Sequence, residues 1–179
     1  MDKETIKAFQ KAFKKAESII VKDAYCSIWG VESPPDPEEG WVFVEENSCG
    51  FRLYYNSVKV EKALKFLQEA EKYIDENCLE ELRVEYVWKV YDFYGRIAFL
   101  KKEWETALKK YRQAKDLYLK YNSFPIEAYQ HIGKVLCILD KRDEASEMMD
   151  EVTEVSKRLF RYNMDVIELK KEIQSHFNM

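Results

Sequence analysis

The stretch that decides the fold runs from Tyr91 to Ala114 and reads YDFYGRIAFLKKEWETALKKYRQA. Its first half belongs to a segment, Leu82 to Leu100, in which apolar and aromatic residues occupy nearly every side of a helix. A helix of this kind is typical of the centre of a fold. Trp104 to Tyr121 shows the helical period again, so we predict a second helix directly after the first.

The pattern of this stretch occurs again 38 residues later, where Tyr129 takes the position of Tyr91. The first copy places Tyr91, Tyr94, Gly95, Ala98, Ala107, Tyr111 and Ala114 where the second places Tyr129, Ile132, Gly133, Leu136, Ala145, Met149 and Val152. Glycine and alanine have little or no side chain, so two helices can approach closely while the large residues fill the space around the crossing. We therefore expect helix-packing roles for Gly95, Ala107, Tyr111, Ala114, Gly133 and Ala145.

This order of large residue, glycine, alanine, large residue and alanine resembles the tetratricopeptide repeat. The first copy is the closer match, because the second has Asp143 where a large residue is expected and Val152 in place of the last alanine. The 38-residue period exceeds the usual 34 by about one helical turn. Upstream, Ala63, Leu67 and Ala70 look like the second helix of another, interrupted copy.

The resemblance covers about residues 57–177 and implies an all-α fold, a short solenoid of antiparallel helical hairpins. The helical period itself predicts helices at Ser57 to about Asn77, Pro125 to Leu139, Arg142 to Tyr162 and Asp165 to Phe177. Ser57 is a suitable N-cap and Pro125 a suitable helix start. The last helix resembles the polar-faced cap that closes a solenoid.

The N-terminal third departs from the repeat. Ile6, Phe9, Phe13, Ala16 and Ile20 form one stripe of a predicted amphipathic helix from Lys3 to Ser27. Prolines end that pattern, and two aromatic runs then flank a polar, glycine-containing turn, which predicts a β-hairpin near residues 41–55. A helix from Val42 to Asn56 remains the alternative.

We divide the chain, as one structural domain, into an N-terminal helix (1–29), a proline- and aromatic-rich insertion (30–56) and helical repeats with a capping helix (57–179). In the simplest arrangement the N-terminal helix is the first helix of the interrupted repeat. The insertion would then separate it from its partner helix.

Composition narrows the function. Basic and acidic residues alternate along the chain and leave a formal net charge of −4, which argues against nucleic-acid binding. The polar N-terminus and the lack of a long apolar run predict a cytoplasmic protein without a membrane segment. We expect reduced cysteines there, although Cys26 and Cys49 could pair in an oxidising compartment.

The sequence offers no recognisable catalytic chemistry. His131 and His176, the two histidines, lack a metal-ligand spacing, and the cysteines form no CxxC pair. No phosphate-binding loop, dinucleotide fingerprint or hydrolase motif is present. We therefore predict that the protein is not an enzyme and uses no cofactor or metal, with His131 as a structural residue.

The resemblance implies binding of another protein or peptide in a groove lined by the first helices of the repeats. By position, that groove is lined by Lys89, Asp92, Arg96, Phe99, Gln130, Lys134 and Cys137. These residues do not reproduce the dicarboxylate clamp of the chaperone-binding subfamily. The alternative is that the charged members are solvated or pair locally. For the aromatic residues of the insertion we expect either a role in partner specificity or a role as a structural lid over the core. These residues are Trp41, Phe43, Phe51, Tyr54 and Tyr55.

Two neighbouring second helices have opposite charge. One is basic and the next is acidic. The basic residues are Lys101, Lys102, Lys109, Lys110, Arg112, Lys115 and Lys120, and the acidic residues are Asp143, Glu144, Glu147, Asp150, Glu151 and Glu154. Pairing between them would support the fold, and pairing between copies would give a homo-oligomer. A binding scaffold or adaptor is thus the leading function, a self-associating assembly protein the alternative, and a regulator or inhibitor of an enzyme the third choice.

Overall fold

The computed structural model describes residues 2–22, 24–29, 34–46, 51–74, 84–121, 123–159 and 164–178. These residues form seven α-helices and one three-stranded antiparallel sheet, so the predicted, mostly helical fold is confirmed. The helices are α1 Lys3–Lys22, α2 Ser57–Glu71, α3 Val84–Leu100, α4 Trp104–Lys120, α5 Ile126–Ile138, α6 Arg142–Arg158 and α7 Met164–Phe177. The strands are β1 Tyr25–Trp29, β2 Trp41–Glu46 and β3 Phe51–Asn56.

The first helix ends earlier than predicted. The expectation of helix to Ser27 is wrong, because α1 ends at Lys22 and Tyr25–Trp29 forms β1. The buried stripe of α1 ends at Ile20, and the aromatic and β-branched residues that follow pair with β3 from Tyr25↔Tyr55 to Trp29↔Phe51. A strand partner distant in sequence therefore outweighs the local continuation of the helix.

The sheet has the strand order β1-β3-β2. Strands β2 and β3 form the β-hairpin alternative for residues 41–55, and the helical alternative for Val42 to Asn56 is wrong. The pairing shifts register between Phe43 and Glu45, where a bulge bends the strand. The polar turn was predicted at Glu45 to Gly50. Its first two residues belong to β2, and residues 47–50 lie outside the described residues.

The sheet is joined to α2 by side-chain hydrogen bonds at Asn56, which corrects the prediction of Ser57 as N-cap. The Oδ1 atom of Asn56 accepts from the Lys59 amide at 3.1 Å and caps α2. Its Nδ2 donates to the Glu39 carbonyl at 2.9 Å, and the Ser57 hydroxyl donates to the Gly40 carbonyl at 3.0 Å. Gly40 has a φ of 87°, in the left-handed region that suits glycine.

Two helix ends also differ from the predictions. Helix α2 ends at Glu71, and the predicted end near Asn77 lies outside the described residues. Helix α6 ends at Arg158, with Tyr162 likewise outside them.

Helix α3 is central and buried, as predicted, and packs against α1, α2 and α4. Helix α5 in turn packs against α4, α6 and α7. The buried apolar residues form two groups. A first cluster contains residues of α1, α2, the sheet and most of α3. A second contains the C-terminal end of α3 with α4, α5, α6 and α7.

The two repeat glycines meet different neighbours. A Cβ atom on Gly95 would lie 2.5 Å from the Tyr111 ring, so α3 and α4 approach too closely there for any side chain. On Gly133 it would meet the flexible ends of Ile173 and Leu169 of α7 at 3.0 and 3.1 Å. The second copy thus makes its close approach mainly to α7, where the first makes it to its own partner helix.

Candidate functional site

The predicted groove residues lie on α3 and α5, and a buried carboxylate connects the two helices. Asp92, whose side chain is 3% exposed, accepts from Arg96 Nε at 2.8 Å through Oδ2. Its Oδ1 lies 3.0 Å from Nδ1 of His131, which donates to it. Since a buried charge is costly unless it is paired, Arg96 and His131 hold Asp92 in place. The bond from His131 to Asp92 joins α5 to α3.

His131 therefore has a defined environment that its sequence context did not reveal. Besides the bond to Asp92, its ring stacks on Tyr111 with centroids 4.7 Å apart and an angle of 30°. Burial raises the pKa of the Tyr111 hydroxyl, and the nearby Asp92 carboxylate raises it further. Asp92 and His131 are 39 residues apart, which explains why a search for local ligand spacing could not pair them.

A cleft of about 170 Å³ opens beside this cluster, and we call it the sheet–helix cleft. Its apolar lining comes from both layers of the fold, namely Tyr25 and Leu53 of the sheet with Phe99, Leu100 and Tyr111 of α3 and α4. Its polar lining is basic and consists of Arg96, His131 and Lys134. The cleft therefore combines apolar walls with the positive charges of Arg96 and Lys134, and its volume suits a single side chain.

Lys134 links the sheet to α5 at the rim of this cleft. Its ammonium group lies 2.8 Å from Glu45 Oε1 of β2 and 4.7 Å from the centre of the Phe99 ring. With a side chain 52% exposed, Lys134 remains open to solvent. An exposed ion pair of this kind is weak and can be exchanged for another carboxylate.

The remaining predicted groove residues lie elsewhere. Gln130 and Cys137 line a second cleft, of about 590 Å³, between α5 and α7, which Lys134 also borders. Lys89 lies 3.6 Å from Glu17 of α1 and does not line the sheet–helix cleft. The structure thus brings Arg96, Phe99 and Lys134 together in one site and separates Lys89 from it.

The insertion aromatics have different exposures. Tyr54 is buried, and its ring meets Phe43 with centroids 5.5 Å apart. Phe43 is 45% exposed and lies 5.9 Å from the ammonium group of Lys102. Trp41, Phe51 and Tyr55 are half-buried, and Tyr55 packs against the first cluster.

The described thiols are held in their protonated form. Burial raises the pKa of Cys26, and burial followed by Glu172 raises that of Cys137. Both are free, and Cys49, the alternative disulfide partner of Cys26, lies outside the described residues. Over the described ranges, no group of three or more histidine, cysteine, aspartate or glutamate residues is placed to hold a metal ion. No helix in the described part is long and apolar enough to cross a membrane.

Comparisons with known proteins add no relative to this description. A scan against protein-family models, a search of curated proteins and a search of solved structures each found no match.

Proposed function

We propose that the protein is a non-catalytic binding module that recognises a peptide segment of another protein. The scaffold would be a short tetratricopeptide-like solenoid in which α1–α2, α3–α4 and α5–α6 form successive helical pairs and α7 caps the end. Support comes from the contacts, since α1 packs on α2, α2 on α3, α3 on α4, α4 on α5 and α5 on α6. The sheet is then an insertion between the two helices of the first pair.

The observation that carries this proposal is the sheet–helix cleft. Phe99, Leu100 and Tyr111 give it an apolar floor, while Arg96 and Lys134 place positive charge at its side and rim. An extended peptide with an aromatic or aliphatic side chain next to a carboxylate would satisfy both features. The ligand carboxylate would replace Glu45 on Lys134.

A display selection tests this recognition. Random peptides are selected on the immobilised protein, and fluorescence anisotropy then measures the affinity of the enriched sequences. We expect acidic sequences that contain apolar residues. Lys134→Glu should weaken their binding about tenfold or more, because it removes an attraction and adds a repulsion.

Lys109→Glu is the matched control, since Lys109 is an exposed lysine on α4 that does not line the cleft. It should change affinity no more than about twofold, as expected for a charge distant from the ligand. Circular dichroism establishes that both variants keep the helical fold. Failure to enrich any sequence, or equal binding by wild type and Lys134→Glu, would refute the proposal.

A further inference from the structure

One side of α1 presents a row of lysines to solvent. Lys7, Lys11 and Lys14 are exposed, and exposed Ser18 continues their spacing of four, three and four residues. Phe9, Phe13, Ala16 and Ile20 are buried, so helical geometry directs the lysine row away from the core. Across the described residues, no carboxylate pairs with these three lysines.

Helix α6 presents a row of opposite charge. Asp143, Glu147, Asp150 and Glu154 are exposed and have the same spacing of four, three and four residues. Glu154 pairs with Lys157 at 3.1 Å, while the other three have no cation partner within the described ranges. We call these four residues the acidic row.

The charges that face inward are, by contrast, satisfied within the chain. Arg112 and Lys115 of α4 contact Glu144 and Glu151 of α6 at 2.6 and 2.7 Å. On the other side of α4, Lys110 lies 3.8 Å from Glu71 of α2, and Lys101, in the turn before α4, also pairs with Glu61 of α2. These four basic residues are therefore paired within the chain, and none of them contacts the acidic row of α6.

We infer that the lysine row on α1 of one molecule docks on the acidic row on α6 of a second copy. The rows match in spacing and are opposite in charge. They belong to helices with different packing partners, since α1 packs on α2 and α3 whereas α6 packs on α5 and α7. Contact between two different surfaces is heterologous and adds molecules head to tail.

The occupant argued for here is a second copy because the chain itself presents the row of matching spacing and opposite charge. A membrane would meet the lysines of α1 but could not receive its apolar side, which is buried in the first cluster. The interaction consists of exposed ion pairs, so it should be weak and strongly salt-dependent. It uses neither Lys134 nor the sheet–helix cleft and does not depend on the proposed function.

Reciprocal charge reversal tests the inference by analytical ultracentrifugation in low salt, at up to about 1 mM protein because the contact is weak. One variant carries Lys7→Glu, Lys11→Glu and Lys14→Glu, and the other Asp143→Lys, Glu147→Lys and Asp150→Lys. Wild type should associate and dissociate as salt is added. Each variant alone should lose about tenfold or more in association constant, because its two docking surfaces now have the same charge.

An equimolar mixture of the two variants should associate again, because each then offers the charge the other lacks. The control Lys59→Glu, Lys62→Glu, Lys65→Glu makes the same change in net charge as the lysine-row variant, on exposed positions of α2, and should associate like wild type. Circular dichroism verifies the fold of every variant. A wild type that stays monomeric in low salt, or a mixture that does not associate, would overturn the inference. So would wild type that binds phosphatidylserine vesicles or poly-uridylate through the lysine row without self-association.

Discussion

At the scale of single residues, the distance between α3 and α4 is set at Gly95. A methyl group there would lie 2.5 Å from two atoms of the Tyr111 ring, which is itself buried and cannot move aside freely. Gly133 has the same place in the second copy, but its neighbours are the ends of flexible side chains. The two glycines therefore occupy equivalent positions in the sequence pattern, but a side chain should be tolerated better at Gly133 than at Gly95.

Gly95→Ala should destabilise the protein by about 1–3 kcal/mol, because the overpacking outweighs the helix-propensity gain of about 0.5–1 kcal/mol. Gly133→Ala is the matched control and should be nearly neutral, since small shifts of Ile173 and Leu169 make room. Urea denaturation measures both free energies of unfolding. Equal effects of the two substitutions would contradict the close approach at Gly95.

Glu144 predicts a dependence of stability on pH. Its hydrogen bonds from Arg112 and Lys141 hold the pKa of its carboxyl below the usual value. The stabilisation is therefore present above the unfolded-state pKa and is lost as pH falls through the folded-state pKa. Because the group is partly exposed and screened, its contribution should be at most about 1 kcal/mol.

Glu144→Gln should accordingly lower the free energy of unfolding at pH 7 and leave it unchanged at pH 3. Urea denaturation of wild type and variant across this range measures the difference. The exposed Glu147→Gln, which removes a carboxylate with no cation partner among the described residues, supplies the comparison and should show little difference at either pH. If wild type and Glu144→Gln still differ in free energy of unfolding at low pH, packing and not charge explains the effect.

At the scale of elements, Asn56 joins the sheet to α2. Asn56→Ala should cost about 1–3 kcal/mol, because it removes the cap and leaves the Glu39 carbonyl without its side-chain donor. Asn56→Asp keeps the capping oxygen but turns a carboxylate oxygen toward the Glu39 carbonyl in a buried site, so its cost should be comparable to that of Asn56→Ala. Thermal and urea unfolding measure the series, in which Ser57→Ala should be the mildest. The opposite order would mean that Asn56 does not carry this junction.

The elements that sequence predicted best are those whose information is local. Helix α3 and its partner α4 were predictable because Tyr91 to Ala114 specifies both the helical period and the close approach. Strand β1 was missed because Tyr25 to Trp29 pairs with β3, whose partner residues lie 22 to 30 positions later. A sequence window as long as one helix does not include that partner strand.

The cleft shows the same division. Their positions in the 38-residue pattern predicted that Arg96, Phe99 and Lys134 share one surface, and all three line the sheet–helix cleft. The pattern could not predict that Tyr25 and Leu53 of the sheet also line the cleft. Nor could it predict the hydrogen bond between Asp92 of α3 and His131 of α5. Contacts between the sheet and the helices depend on a tertiary arrangement that the 38-residue sequence pattern does not encode.

At the scale of the whole molecule, the sheet is part of the core. Val44 is buried in the first cluster, and Leu53 and Tyr55 pack against it with residues of α1, α2 and α3. We therefore expect that replacing residues 25–55 with a glycine–serine linker lowers the melting temperature, broadens the transition and increases binding of a hydrophobic dye. Calorimetry and dye fluorescence measure these effects. A replacement variant that melts like wild type would show that the helices fold stably without the sheet.

Helix α3 contributes Val90 and Phe93 to the first cluster and Ala98 and Phe99 to the second. Because one continuous helix belongs to both, neither cluster can open fully without disturbing the other. Native-state hydrogen exchange should therefore find the slowest amide protons in α3, exchanging only through global unfolding. The amides of α7 and of the edge strands β1 and β2 should exchange through smaller openings, so that α3 defines the last foldon to open.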